Sequence, residues 1–478
     1  MIVVTVHEAV GVDPHSKARE ALEAHDWATA FDVLTKLSES STLPADDVYA
    51  LGQAAWWLGR MDVSMDAYQR AHQQFVFSGR TDAAVMTAVY LSYSHANKGD
   101  FALAAAWHAR AARLAHKIPD SLAAGYLGIV ECGAAYHSGD LDGCLARAQL
   151  VTRIGEDHTD PTLVAWGLHW QGLALIRQGQ IDQGWTLVDE AMLDITLRQM
   201  EPLWAGFLHC NTIRLCDELG DPGRGWRWVE VTERWLEKGP TGPLYSGICR
   251  MFKASILRER GIWPEAEREA RRVCDELATL HISSESRAYY ELGEIRRLGG
   301  DFAGAEALFR QAQEMAFDPQ PGLSRLRLAQ GALDAASGQI RRALDEAADR
   351  LARARLLPDF VVIALARGDI ESALSAAEEL DGIATVYRSP GLMASAVWAR
   401  AGVLLAQLDP VAALATFREA ARLSTDLGSP YRVALARRGA GEALRALGDG
   451  TARGSSWRRH EPSSIDWGPN PMLTRRRA

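Results

Sequence analysis

The side chains with the greatest chemical reactivity in this sequence stand apart from one another. His108 and His116 are eight residues apart, which is too far on one helix for both to bind the same metal ion directly. His209 and Cys210 are adjacent, so they face different sides of a helix. We therefore expect no metal site.

Signature motifs for catalysis are also missing. The sequence has no G-x-x-x-x-G-K-[ST] phosphate loop, no H-E-x-x-H and no G-x-S-x-G. Its carboxylates are scattered, and we expect Arg355, Arg367 and Glu371 to be solvated rather than catalytic. The sequence predicts a protein that is not an enzyme and that uses no cofactor.

The six cysteines form no C-x-x-C pair, and each falls within a predicted helix. The interpretation we favour is that they are small buried apolar residues, with disulfides or zinc as the alternative. They are Cys132, Cys144, Cys210, Cys216, Cys249 and Cys274.

The charge is unevenly distributed. The net charge is −9, and the last 28 residues hold six Arg against Glu461 and Asp466, so residues 1–450 carry about −13. An acidic body binds nucleic acid and anionic membranes poorly. No apolar run reaches the roughly 20 residues of a membrane span, and residues 1–10 lack the basic start of a secretion signal. We expect a cytoplasmic protein without a membrane partner.

A turn signal that recurs about every 40 residues organises the chain. Examples are KGDF at 98–101, SGDL at 138–141, GGDF at 299–302 and SGQI at 337–340. The glycines of these signals are spaced by 40, 40, 40, 41, 41, 39, 38 and 30 residues. They are Gly59, Gly99, Gly139, Gly179, Gly220, Gly261, Gly300, Gly338 and Gly368.

Each turn is explained by local physical chemistry. Glycine ends the first helix because it adopts the left-handed conformation at little cost, and the following Asp can cap the second helix. A small residue such as Ala305 or Ala373 then lets the two helices approach closely. Gly172, Gly293 and Gly331 are predicted to lie two helical turns before the turn glycine, on the same face.

This is the tetratricopeptide pattern, whose period of about 34 residues is lengthened here by about six. We predict an all-α, right-handed superhelical solenoid of about eleven helix-turn-helix repeats, with turns from His25 to Leu408 and a final half pair. The β-like run at 359–364 keeps helical register, and the 30-residue spacing implies shortened helices.

Three segments are expected along the chain. Residues 1–12 form an N-terminal extension, and residues 13–450 form the repeat array. Residues 451–478 are rich in Arg, Pro, Ser and Gly, without periodicity, and are predicted to be a disordered tail.

The first helix of each pair is expected to line a concave groove. Residues two, three, six, ten and thirteen positions before each turn glycine mix aromatic side chains with both signs of charge, as protein interfaces do. The alternative is that the aromatic residues pack between neighbouring helices. The candidate groove residues are Trp56, Trp57, Tyr93, Asn97, Tyr136, His137, His169, Arg177, Arg214, Asp217, Arg258, Tyr290, Glu294 and Arg297.

Two stretches carry a family resemblance. Residues 290–331, which begin YELGEIRRLGGDFAGAEALF, and residues 201–237 are similar to the tetratricopeptide regulatory region of LuxR-type transcriptional regulators, and the likeness covers roughly 45–450. The resemblance implies that the repeats bind an effector and that a C-terminal helix-turn-helix domain binds DNA.

The pattern departs from that family after Gly448, because the last 28 residues, 451–478, are unpatterned. We therefore expect a regulatory interaction module that binds a protein, a peptide or a small effector in its groove, and that does not bind DNA by itself. The alternative is a DNA-binding transcriptional regulator whose helix-turn-helix is truncated or frame-shifted.

Overall fold

Every regular element that the structure describes is an α-helix, and no strand occurs in this part of the chain. The predicted all-α class is thus confirmed, and none of these helices combines the length and apolarity needed to cross a bilayer. The predicted extension 1–12 and tail 451–478 lie outside the described residues. The computed structural model describes residues 13–197, 200–238, 243–278, 285–347 and 349–449.

The described helices form eleven successive pairs, α1 with α2 through α21 with α22, followed by α23. This number of pairs, with a half pair at the end, confirms the repeat count read from the sequence. The first helices of the pairs, with α23, are α1 Pro14–Glu23, α3 Ala45–Trp57, α5 Thr81–Asn97, α7 Leu122–Ser138, α9 Pro161–Arg177, α11 Pro202–Glu218, α13 Pro243–Glu259, α15 Glu285–Leu298, α17 Gly322–Ala329, α19 Arg350–Ala366, α21 Pro390–Ala406 and α23 Pro430–Asp449. The second helices are α2 Trp27–Ser40, α4 Met61–Phe77, α6 Phe101–Ala115, α8 Leu141–Asp157, α10 Ile181–Leu197, α12 Pro222–Lys238, α14 Trp263–Ala278, α16 Phe302–Glu314, α18 Leu333–Glu346, α20 Ile370–Tyr387 and α22 Pro410–Asp426.

Within a pair the chain reverses at a residue with positive φ. At Gly99, where φ is +81°, the N–H donates to the carbonyl of Ala96, and the next N–H, of Asp100, donates to His95 at 2.9 Å. The N–H groups of Gly99 and Asp100 thus supply hydrogen bonds to carbonyls in the last turn of α5 that have no partner within the helix. His25 and Leu408 occupy the equivalent place with φ of 56° and 65°.

Aspartates after several of the turns cap the second helices, as predicted. Asp140, Asp301 and Asp369 each accept a hydrogen bond from the backbone N–H three residues later, at 3.0, 2.9 and 3.1 Å. Asp100 makes no such bond, and its carboxylate lies 3.5 Å from Nδ1 of His95 instead. The cap prediction is therefore wrong at Asp100.

One predicted turn is misplaced. Gly338 lies inside α18, and the ninth turn falls at Gly331, where φ is +77°. Glycine inside a helix costs only about 1 kcal/mol, so the buried Ala336 and Ile340 hold the helix through this position. Gly331 is therefore a turn residue and not a helix-contact residue, and the shortened helix is α17, with eight residues.

Small residues bring the two helices of a pair into backbone contact, as the sequence predicted. A Cβ atom on Gly172 would lie 2.6 Å from the carbonyl oxygen of Gly184, and a Cβ on Gly184 would meet Gly172 equally closely. In the third pair, the Ser92 hydroxyl donates to the carbonyl of Ala104 at 2.9 Å. A larger side chain at these positions would push the paired helices apart.

The chain divides into two compact units. Of the described residues, those within 1–171, 197–202 and 238–246 form unit 1, and those within 172–196, 203–237 and 247–478 form unit 2. Unit 1 has a core in which Phe31, Leu34 and Phe75 are buried. In unit 2, Phe309 and Phe417 are buried in clusters of their own.

Ala305→Leu and Ala373→Leu should each lower the free energy of unfolding by about 1–3 kcal/mol, because both alanines are fully buried between paired helices. Ala303→Leu is the matched control, since Ala303 is exposed two residues earlier on α16. Urea unfolding of the three variants measures this. Unchanged stability in both buried variants would contradict the packing described here.

Candidate functional site

Unit 2 contains a cavity of about 310 Å³ that is lined mainly by first helices. Side chains of α11, α13, α15, α17, α19, α21 and α23 contribute to its wall. The cavity thus collects the inner faces of consecutive repeats of unit 2, and its lining mixes arginines and carboxylates with aromatic and aliphatic residues.

Contacts between residues far apart in sequence close unit 2 around this cavity. The Ser429 hydroxyl donates to the carbonyl oxygen of Glu259 at 2.9 Å, and the Ser389 hydroxyl donates to that of Leu219. Both pairs are separated by 170 residues. We call these two bonds, with the Gly220–Gly391 and Glu259–Arg432 contacts, the closing contacts.

The Gly220–Gly391 contact explains why glycine occupies position 391. A Cβ atom there would lie 1.7 Å from the carbonyl oxygen of Gly220, so no other residue fits without a shift of the backbone. Beside it, Arg432 donates from Nε to the Glu259 carboxylate at 2.9 Å. The turns of the sixth and seventh pairs are therefore held directly against α21 and α23.

A first ion-pair cluster is centred on Glu294, which is completely buried. Its carboxylate accepts from Nε of Arg297 at 2.8 Å and from Nη1 of Arg325 at 2.7 Å. Arg325 also donates two hydrogen bonds to the carboxylate of Asp359, from Nε at 2.6 Å and from Nη2 at 2.7 Å. Burial alone would raise the pKa of Glu294, but the charges of Arg297 and Arg325 outweigh it and hold the pKa well below its ordinary value.

A second cluster is centred on Glu259. Its carboxylate pairs with Arg258 and Arg432, both at 2.9 Å, and Arg258 also reaches Glu291 at 3.0 Å. Burial alone would raise the pKa of Glu259, but the charges of Arg432 and Arg258 bring it down to about 2. This carboxylate is therefore ionised at neutral pH, as its two partners require.

A third cluster lies at Asp217 on α11. Its carboxylate accepts from the Ser255 hydroxyl at 2.7 Å and pairs with Arg287. The guanidinium of Arg287 also lies over the ring of Phe252, with its carbon 5.1 Å from the ring centre. This cluster joins α11, α13 and α15 across three consecutive pairs.

The lining carboxylates are all matched by arginine. Each lies within ion-pair distance of at least one guanidinium; the five are Asp217, Glu218, Glu259, Glu291 and Asp359. The exposed Arg355 differs from the arginines that pair with these carboxylates. Its guanidinium donates to the carbonyl oxygen of Gln320 at 3.0 Å, and no described carboxylate lies within ion-pair distance of it. The guanidinium of Arg355 therefore lines the cavity without a described carboxylate as its partner.

Tyr290 and an apolar surface complete the lining. Tyr290 is 5% exposed, and burial raises the pKa of its hydroxyl to about 12, so it is neutral at physiological pH. The apolar and aromatic members of the lining include Leu328, Pro358, Val362, Leu392, Trp398 and Leu435.

Seven of the predicted groove residues lie at or near this cavity. Asp217, Arg258, Tyr290 and Arg297 line it, and Glu294 lies directly behind Arg297. Arg214 and Arg177 both pair with Glu218, another lining residue, at 2.9 and 3.3 Å.

The other seven predicted groove residues belong to unit 1. Trp56 and Trp57 are buried, and the ring of Trp57 stacks on Trp27 with centres 5.2 Å apart. Tyr136 packs on Trp170 at 5.5 Å. These aromatic residues are packed between helices, which is the alternative that the sequence left open. Of the rest, His169 is fully buried, Tyr93 and Asn97 are half-buried, and His137 is exposed.

Several lining residues were missed, although the same counting rule finds them. Arg287 and Arg355 lie thirteen residues before Gly300 and Gly368. Arg325 lies six residues before Gly331, so the misplaced turn at Gly338 concealed it. The sequence therefore marks these arginines by their distance from the turn glycine, once the ninth turn is placed at Gly331 and the rule is extended to the later repeats.

All six cysteines are free and buried, as the favoured interpretation of the sequence had it. Among the described residues, no group of three or more His, Cys, Asp or Glu side chains is arranged to hold a metal ion.

Comparison with known proteins gives structural likenesses only. No protein-family model matches the chain, and no curated protein matches it. The chain is similar to the APC/C hetero-tetramer Cut9-Hcn1, with 12% identity, 92% of each chain covered and a TM-score of 0.43. It is similar to a Rap protein complexed with competence and sporulation factor, with 13% identity, 76% of this chain and 99% of that chain covered, and a TM-score of 0.42. It is also similar to the human IFIT1 dimer with m7Gppp-AAAA, with 12% identity, 84% and 95% covered, and a TM-score of 0.43.

Glu259→Gln should lower the free energy of unfolding at neutral pH by about 2 kcal/mol, because it leaves Arg258 and Arg432 without their shared charge. The folded-state pKa of about 2 lies below the ordinary 4.5, so this stabilisation is complete above pH 4.5 and is lost as the pH falls through 2. Urea unfolding at several pH values should show the difference from wild type shrinking below pH 4.5.

Glu371→Gln serves as the control for that series, because Glu371 is exposed on α20. It should match wild type at every pH. A Glu259→Gln difference that stayed constant down to pH 3, or that was absent at pH 7, would contradict the pairing.

Proposed function

We propose that this chain is a non-catalytic regulatory interaction module that binds an effector in the cavity of unit 2. The observation that carries the proposal is the cavity itself, about 310 Å³ in volume and walled by the first helices of six consecutive pairs and by α23. Its mixture of apolar surface with a few oriented polar groups is typical of sites that bind small molecules. A small effector or a short stretch of a peptide is the size of ligand that such a volume admits.

The state of the polar groups supports binding rather than catalysis. General acid–base catalysis works best with a pKa near the working pH. Here Glu259 has a pKa of about 2 and Tyr290 one of about 12, so neither exchanges a proton readily near neutrality. The arginines around them are held in ion pairs, which fixes hydrogen-bond donors in place before a ligand arrives.

The closing contacts suggest how a protein partner could sense that a ligand is bound in the cavity. Glu259 and Arg432 both line the cavity and also join α13 to α23. A ligand that touches either residue therefore acts on a contact between residues that are 173 positions apart in sequence. Binding would change the spacing of the repeats, and a protein partner that docks on them would sense the change.

The resemblance of residues 201–237 and 290–331 to the repeat region of LuxR-type regulators supports a regulatory role. Both stretches contribute to the cavity, through Asp217 on α11 and through Tyr290 and Arg325 further along. In the alternative proposal the chain acts as a DNA-binding regulator; the net charge of about −13 over residues 1–450 argues against it.

Val362→Trp should abolish effector binding, because the larger ring fills the cavity from the middle of α19. A library of small molecules and short peptides is screened for ligands that raise the melting temperature of the wild-type chain. Each ligand found should lose at least tenfold in affinity for Val362→Trp. Leu374→Trp, an exposed position on α20, is the matched control and should bind as wild type does.

Circular dichroism of each unliganded variant confirms that it folds before binding is compared. Ligands that bind Val362→Trp as tightly as wild type would place the binding site elsewhere and refute the proposal.

The chain should show no sequence-specific DNA binding at physiological salt. Most protein–DNA affinity comes from phosphate contacts, and an acidic body offers few of them. Titration against its own upstream DNA and against scrambled DNA of equal length should give equal, weak and salt-sensitive binding. Specific binding at nanomolar concentration would favour the DNA-binding alternative.

A further inference from the structure

Among the arginines that line the cavity, Arg355 has no described carboxylate as its partner. The arginines of the Glu294 cluster are held in ion pairs. Arg297 pairs with Glu294, and Arg325 pairs with both Glu294 and Asp359. Arg355 shares the wall of the same cavity but has no described carboxylate within ion-pair distance. One guanidinium is therefore available to a ligand that brings its own negative charge.

Arg355 is also held in a defined place. It lies in the second turn of α19, and its Nη2 donates to the main-chain carbonyl of Gln320 at 3.0 Å, in the segment that precedes α17. That bond uses one of the five N–H donors of the guanidinium and leaves an edge of the fork open. A planar carboxylate, or two oxygens of a phosphate, matches the geometry of such an edge.

Tyr290 lines the same cavity as Arg355. Burial raises the pKa of the Tyr290 hydroxyl, so this hydroxyl is neutral at physiological pH. A neutral tyrosine hydroxyl can donate a hydrogen bond to an anion. Arg355 and Tyr290 thus offer two hydrogen-bond donors in one cavity, whose wall also includes the ion-paired Arg325.

An apolar surface continues from this pair along the same helix face. Val362 lies seven residues after Arg355 on α19, which is two helical turns and about 10 Å along the axis. Pro358 lies between them, and Leu328 and Trp398 line the cavity from α17 and α21. The lining therefore offers one charged end and an apolar body.

We propose that the cavity takes a small organic anion, with its carboxylate or phosphate on Arg355 and Tyr290 and its apolar or aromatic body against Val362, Leu328 and Trp398. This inference rests on the proposed function and names the chemical class of the effector. A cation is disfavoured because every lining carboxylate already has an arginine partner. A neutral ligand would displace water from the exposed Arg355 guanidinium without supplying a counter-charge.

The test compares three probes that share one body and differ in their charged group. They are 4-phenylbutyrate, the neutral 4-phenylbutyramide and 4-phenylbutyl phosphate, titrated calorimetrically into the full chain. A carboxylate or phosphate on Arg355 adds charge-assisted hydrogen bonds, so an anion should bind at least about tenfold more tightly than the amide. The order of the two anions distinguishes a carboxylate effector from a phosphorylated one.

Variants at Arg355 test whether the preference for anions over the amide depends on this residue. Arg355→Gln should bring the anions and the amide to equal affinity, and Arg355→Lys should restore part of the anion preference because it restores the charge. Arg350→Gln removes the same charge from an exposed position one and a half turns earlier on α19 and should behave as wild type. Melting curves of all three variants verify folding.

The outcomes separate this inference from the proposed function. An amide that binds as tightly as the anions, an anion preference that survives in Arg355→Gln, or no binding of any probe at millimolar concentration would overturn the anion proposal. If library ligands nevertheless bind and lose affinity in Val362→Trp, the cavity remains the effector site and only its chemical class is wrong.

Discussion

The close backbone contact inside each helix pair is the constraint on which the rest of the structure depends. Gly172 and Gly184 meet with no room for a Cβ atom, and in other pairs a serine hydroxyl reaches across to a backbone carbonyl, as Ser64 does to Gly52 at 2.8 Å. This contact fixes how the two helices of a pair face each other. In unit 2 it leaves the opposite face of each first helix to the cavity, where those faces from successive repeats meet.

That arrangement places many arginines around one small volume, and the carboxylates determine what they can do. Buried ion pairs recover little net stability, because both ions lose their water, but removing one partner is costly. Glu294 between Arg297 and Arg325, and Glu259 between Arg258 and Arg432, therefore make the wall rigid rather than strongly stabilised. Arg355 takes no part in these ion pairs, so its positive charge is available to a ligand in a cavity whose wall is rigid.

The sequence predicts the helix pairs well because most turns have a local cause: a residue with positive φ, usually glycine, which in several turns is followed by a capping aspartate. It fails at Gly338, because glycine is tolerated inside a helix that buries residues such as Ala336 and Ile340. The true turn at Gly331 lacks the aspartate. Position in the repeat found Asp217 and Tyr290, yet the same positions in unit 1 hold aromatic residues such as Trp57, packed between helices. The closing contacts join residues 170 apart and leave no local signal, so the cavity could not be located from sequence alone.

Hydrogen–deuterium exchange of the full chain, with and without saturating ligand, tests the central claim most directly, that first helices of unit 2 surround the binding site. The ligand can be 4-phenylbutyrate or any compound whose binding raises the melting temperature. Protection should appear in peptides from α13, α15, α19 and α23, whose residues line the cavity, and not in peptides from α14, α16 or α20. Protection confined to those second helices, or to unit 1, would contradict the claim.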